Sequence, residues 1–155
     1  IKGDVKIYPN VFFFFFTIIE DGTIIYPNTF IENSKIGKNC VIKSSFIESS
    51  IIENNVQIGP FSHLRRNCII ESNCKIGNFV EVKNSHLKEG TKASHLAYIG
   101  DAEVGKNCNI GCGNITINEE KINDVNTIVD HSLSINDDTL VVRKGKKKYF
   151  IVKLV

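Results

Sequence analysis

The chain has 155 residues, a length that fits one domain with a sizeable core. Nineteen Lys and Arg against seventeen Asp and Glu give a net charge of +2, a balance too even to imply nucleic acid as a partner. Met and Trp are absent, Ile and Asn are abundant, and Pro occurs only three times.

Near the start, Val11 to Ile19 form an apolar run that contains five phenylalanines, Phe12 to Phe16. The run is too short to span a bilayer. No basic segment of length precedes it and no small-residue cleavage site follows. No membrane span and a cytoplasmic location are therefore expected. Without an initial Met, the sequence reads as an excerpt of a longer chain.

From Phe12 onward a six-residue period dominates. Phe12, Ile18, Ile24, Phe30, Ile36 and Ile42 share one phase. After a shift near Ser44–Ser50 the phase resumes with Ile52, Ile58, Leu64, Ile70, Ile76 and Val82. It breaks between Val82 and Val104, returns at Val104 and Ile110, and continues faintly at Thr116, Ile122 and Ile128. Six residues advance a helix by about 600°, so these positions would circle its surface. Short strands joined by tight turns fit instead, wound as a triangular coil with the periodic residue pointing inward. Gly and Asn then stand at the corners. The expected division is a coil over residues 1–128 and a divergent basic tail over 129–155. Five cations within Arg143 to Lys148 make that tail either a solvated segment or a patch for a coenzyme phosphate or an anionic surface.

The cysteines follow the coil. Cys40, Cys68, Cys74 and Cys108 each lie four residues after an inward position, where a thiol serves as a small apolar group. Their spacing is no recognised metal pattern, and an odd count of five reads as reduced thiols. No metal site is expected.

Chemistry concentrates where the period breaks. That stretch holds Lys83, His86, Lys88, Lys92, His95 and Tyr98, and Arg65 lies upstream. Arg65 and Lys83 beside a histidine point to an anion pocket. From spacing alone, His95 is either a proton acceptor or a corner residue.

Longer motifs narrow the reading. Ile58-Gly-Pro-Phe-Ser-His-Leu-Arg65, Gly77-Asn-Phe-Val-Glu-Val-Lys83, Lys92-Ala-Ser-His95-Leu-Ala-Tyr98-Ile-Gly-Asp-Ala-Glu-Val-Gly105 and Asn109-Ile-Gly-Cys-Gly-Asn-Ile-Thr-Ile-Asn118 resemble, in order and spacing, the carboxy-terminal acetyltransferase domain of the bifunctional GlmU family. The resemblance runs from about Gly3 to Asn118. It implies an all-β fold, a left-handed parallel β-helix of hexapeptide repeats, assembled as a homotrimer. It further implies acetyl transfer from acetyl-CoA, as cosubstrate, to the amine of glucosamine 1-phosphate, on the route to UDP-N-acetylglucosamine. Mg²⁺ would serve only a separate uridyltransferase domain. By motif match, His95 is the general base, Arg65 and Lys83 bind the sugar phosphate, Tyr98 and Asn109 line the sugar site, and Asn118 belongs to the substrate loop. No residue is assigned to coenzyme binding. After Asn118 the family pattern is lost: Glu119 stands where it has tyrosine, and Asp124 near where it has lysine. Two other readings follow from that departure. One is a truncated or inactive β-helical relative with a structural role; the other is a hexapeptide acyltransferase with a different acceptor.

Overall fold

The computed structural model describes residues 1–111, 115–117, 120–122, 139–144 and 148–153. The chain divides into two compact units, Ile1–Gly111 and Cys112–Val155. The first is a left-handed parallel β-solenoid with a repeat of about 17 residues. Its strands are mostly two residues long and pair in parallel with the coil above and the coil below. Thus Lys6 pairs with Ile24, Ile24 with Val41, Gln57 with Lys75, and Lys92 with Asn109.

Three corners per coil turn the chain, and a left-handed residue sits at nearly every one. One corner runs Asn39, Asn55, Asn73 and Asn107, with φ between 53° and 63°, and includes Gly22 and Gly90. A second runs Asn33, Ser49, Asn67, Asn84 and Asp101. The third runs Asn10, Asn28 and Ser44, then Phe61, Phe79 and Leu96. Asn and Asp tolerate this conformation because their short polar side chains hydrogen-bond locally. That accounts for the abundance of Asn. Phe61, Phe79 and Leu96 have no such compensation, and a bulky residue there costs about 1–2 kcal/mol.

Three columns of side chains fill the interior. They are Ile25–Ile42–Ile58–Ile76–Ala93, Ile31–Ile47–Leu64–Val82–Ile99, and Ile19–Ile36–Ile52–Ile70–Leu87, all buried. Cys40, Cys68 and Cys74 are buried between them, as expected. Burial pushes each of these thiols up from its ordinary pKa, which leaves them unreactive.

The inward phase differs from the sequence reading at the start of the coil. Ile19, Ile25 and Ile31 point inward, whereas Phe12 and Ile18 are exposed and Ile24 and Phe30 half-buried. Apolar residues stand side by side at 18–19, 24–25 and 30–31, so either phase satisfied the pattern. A step of five rather than six, from Ile31 to Ile36, decides between them. The same short step, from Val82 to Leu87 and from Ile99 to Val104, explains the apparent break. Leu87, Ala93 and Ile99 stay buried, and no loop leaves the coil there.

The displaced aromatics form a column on the outer face. The Phe12 and Phe30 rings stack at 4.7 Å, Phe30 and Phe46 at 5.2 Å, and Phe46 meets His63 edge-on at 5.9 Å. Phe15 and Phe16 project furthest, 80% and 88% exposed.

The second unit is built differently. Ile115–Ile117 pairs antiparallel with Glu120–Ile122 and with Thr139–Lys144, which in turn pairs antiparallel with Lys148–Lys153. The division falls at Gly111, whereas the sequence reading set it at Ile128. Thr116 and Ile122 lie in this antiparallel sheet; Ile128 lies outside the described residues.

The phase assignment has a direct test. Ile19→Ala should cost about 2–5 kcal/mol in urea unfolding, as for other buried truncations. Ile18→Ala, at a 41% exposed position, should cost under about 1 kcal/mol. Equal costs would contradict the inward column.

Candidate functional site

The site follows from register. Strand Lys75–Lys83 takes His63–Leu64 on one side and Lys92–Gly100 on the other. Leu64 pairs with Val82 and Val82 with Ile99. Because Leu64 and Val82 are locked inside, the next residues, Arg65 and Lys83, emerge one above the other on the outer face. Leu64 also pairs with Ile47, which sets Glu48 beside Arg65. Arg65, Arg66, Asn67, Lys83, Asn84, Asp101 and Glu48 line an open cavity of about 540 Å³.

Both expected phosphate binders already have carboxylate partners. Arg65 Nη1 donates to Glu81 Oε1 at 2.9 Å. Lys83 Nζ donates to Asp101 Oδ2 at 3.3 Å, and Asn84 Nδ2 to Asp101 Oδ1 at 2.8 Å. The Glu81 hydrogen bond raises the Arg65 pKa. Asn84 first, and Lys83 second, hold the Asp101 carboxyl below its usual range. Any anion entering the cavity would compete with two carboxylates, and Arg66 supplies a further cation in the lining. Charge-assisted, bidentate contacts give a dianion the means to do so.

Tyr98 is exposed and pairs in register with Glu81, next to the Arg65 contact. His95 is exposed on the same strand as Tyr98 but lies beyond the left-handed Leu96, opposite Asn78. It does not line the cavity. Asn109 is exposed and pairs with Lys92 one coil below. Asn118 lies outside the described residues. The fold thus stacks Arg65 on Lys83, sets Tyr98 beside them through Glu81, and holds His95 across one corner. Two coils are pressed together at that corner. A Cβ on Gly77 would come within 1.8 Å of the Ser94 carbonyl oxygen, so only glycine fits.

Sequence reasoning missed Glu48, Glu81, Asn84 and Asp101. Their signal was a spacing of about one coil from the cations, visible only once the coil length was known. Among the described residues no group of three His, Cys, Asp or Glu is placed to hold a metal. Among the described residues no helix is long and apolar enough to cross a membrane.

The relatives found cover more of the chain than its first unit. The bacterial transferase hexapeptide (six repeats) family matches residues 49–84, the stretch that carries Arg65 and Lys83. Bifunctional protein GlmU of Thermodesulfovibrio yellowstonii is 49% identical, over 84% of this chain and 33% of its own length. That of Caldicellulosiruptor saccharolyticus is 48% identical, over 94% of this chain and 32% of its own length. The chain is homologous to the acetyltransferase region of GlmU. It spans about a third of the length of these GlmU relatives. Among solved structures, a UDP-N-acetylglucosamine acyltransferase of Francisella novicida is similar, with 19% identity over 69% of this chain and 54% of that one, and a TM-score of 0.42. A second family, the tyrosine–tRNA ligase SYY-like C-terminal domain, matches residues 107–152. That match falls mainly on the second unit.

The Asp101 contact gives a pH test. Its folded pKa is depressed, so its contribution to stability is full above the ordinary aspartate range, near pH 4. The contribution is lost as pH falls through the folded value. Asp101→Asn should therefore lower the unfolding midpoint at pH 7, and the difference from the parent should shrink as the pH is taken well below 4. A difference independent of pH would show that the Lys83 and Asn84 contacts contribute nothing through charge.

Proposed function

We propose that the first unit transfers acetyl from acetyl-CoA to the amine of glucosamine 1-phosphate. The supporting observation is the stacking of Arg65 on Lys83 with His95 on the strand beside them, in a chain homologous to GlmU. In this reading Arg65 and Lys83 bind the phosphate, and Tyr98 and Asn109 line the sugar. The sugar 2-amine attacks the thioester carbonyl while the imidazole of His95 takes its proton. The tetrahedral intermediate then collapses, the C–S bond breaks, and the imidazolium returns a proton to the departing thiolate. No acyl-enzyme forms, so the buried cysteines stay out of the chemistry. Acetyl-CoA is the cosubstrate; Mg²⁺ is reserved for a uridylyl transfer that these residues do not perform. We assign the reaction to the cytoplasm, where free cysteines persist. A homotrimer completes the reading, with the outer aromatic column of Phe12, Phe30 and Phe46 covered by a neighbouring copy.

For the second unit, a nucleic-acid reading is favoured over the basic tail expected from sequence. Its match is to a domain of a tyrosine–tRNA ligase. Its strands Thr139–Lys144 and Lys148–Lys153 pair so that Lys144 faces Lys148 and Arg143 faces Tyr149. In sequence, Arg143 to Lys148 hold five cations. We propose that residues 112–155 bind structured RNA through this segment.

Two experiments test these readings. Acetyl-CoA consumption with glucosamine 1-phosphate should fall about 10²- to 10⁴-fold in His95→Ala. Arg65→Ala and Lys83→Ala should instead raise KM for the sugar, and sedimentation of the parent should give three copies. Normal turnover in His95→Ala would remove the base; no turnover in the parent would favour a structural relative. Separately, the full chain should bind transfer RNA in a gel-shift assay. Affinity should weaken steeply with added salt, and the double charge reversal R143E/K148E should reduce it about tenfold or more. Absence of binding at low salt would refute the RNA reading.

A further inference from the structure

The coil of Arg65 carries an extra residue at its second corner. Across that corner, the coils on either side pass from one buried residue to the next in five positions, Ile47 to Ile52 and Val82 to Leu87. The coil between them takes six, from Leu64 to Ile70. Backbone hydrogen bonds locate the insertion. The N–H groups of Ser49, Asn84 and Asp101 donate to the carbonyls of Glu32, Arg66 and Lys83, each the residue before a left-handed corner. The N–H of Asn67 instead donates to Ser49, a corner residue itself, at 3.0 Å. Arg65 and Arg66 thus fill the place that Glu48 or Lys83 fills alone in its own coil. Arg65 keeps the register, because Leu64 pairs with Val82. Arg66 is the addition.

An extra residue at a strand end leaves the ladder and re-aims its side chain. Arg66 is exposed and lines the cavity of about 540 Å³ together with Arg65 and Lys83. Those two cations are engaged, Arg65 by Glu81 and Lys83 by Asp101. Among the described residues the Arg66 guanidinium has neither a carboxylate partner nor a hydrogen bond. It can meet an anion without leaving another group. Its planar fork matches two oxygens of a phosphate.

We propose that Arg66 is a specificity-determining residue that selects a phosphorylated sugar. Its guanidinium donates two N–H···O bonds to the phosphate, while Arg65 and Lys83 are shared with Glu81 and Asp101. This rests on the reading of the cavity as the sugar-phosphate site. A merely solvated Arg66 would leave affinity for the phosphate unchanged when removed.

The test uses the full chain and two readouts. Calorimetric titration with glucosamine 1-phosphate, inorganic phosphate and glucosamine reports binding. Turnover with glucosamine 1-phosphate and acetyl-CoA reports function. R66A should weaken glucosamine 1-phosphate about tenfold or more, as for loss of hydrogen bonds to a charged group. Its KM should rise alike, with kcat and the affinity for glucosamine unchanged. R66K, which keeps the charge without the fork, should recover part of the loss; it also serves if R66A folds poorly. R66E should weaken the phosphate further. Unchanged affinity for glucosamine 1-phosphate in R66A and R66E would overturn the proposal. So would equal weakening of glucosamine and its phosphate, the mark of a structural role, or a parent that binds neither phosphate. Undiminished turnover in His95→Gln, or none in the parent, would overturn the acetyl-transfer reading instead, while the titrations would still decide the role of Arg66.

Discussion

A chain that turns three times in about 17 residues must enter the left-handed region at each turn, and the rest of the coil depends on that constraint. Among residues with a side chain Asn meets it at low cost, so Asn recurs along the corners, with Gly22 and Gly90 at two positions. Between corners only two or three residues remain in extended conformation, enough to send one side chain inward. Each inward residue then rests on its counterpart one coil away. Stability is a sum of neighbouring coils, with no distant contacts to correct an error of register. A one-residue slip would send Ile70 out to solvent and bring Ile69 in.

The same constraint positions the chemistry. Arg65 and Lys83 lie 18 positions apart in sequence, yet the buried pairing of Leu64 with Val82 brings them to one strand end. Neither cation is free: Glu81 holds one and Asp101 the other. These partners hold the two side chains across the outer face. Side chains this exposed gain little stability from such pairs, so their value lies in orientation.

Along the third corner the left-handed residue changes from polar to apolar. Asn10, Asn28 and Ser44 give way to Phe61, Phe79 and Leu96, which pay strain without a local hydrogen bond. That substitution occurs in the coils that carry His95. Strain of this kind persists where the surroundings over-determine it. Here the close approach of Gly77 to Ser94 fixes the corner, and an apolar ridge flanks the histidine as a result.

Sequence alone determined the solenoid, because a six-residue period is compatible with neither helix nor plain strand. It determined the buried role of Cys40, Cys68 and Cys74, which share one phase. It also singled out Arg65, Lys83, His95 and Tyr98, since their residue types and order carry a resemblance that survives without coordinates. Tertiary structure decided the inward phase before Ile36, because paired apolar residues such as Ile18 and Ile19 satisfy two phases until stacking on the next coil selects one. It decided that the stretch from Val82 to Val104 stays within the coil, because a five-residue step preserves stacking while it breaks a six-residue count. Glu81 and Asp101 became site residues only through pairing across coils, which no local pattern encodes. The parting of the chain at Gly111 had the same origin: parallel stacking and antiparallel pairing both suit short apolar strands, and only the partner strand distinguishes them.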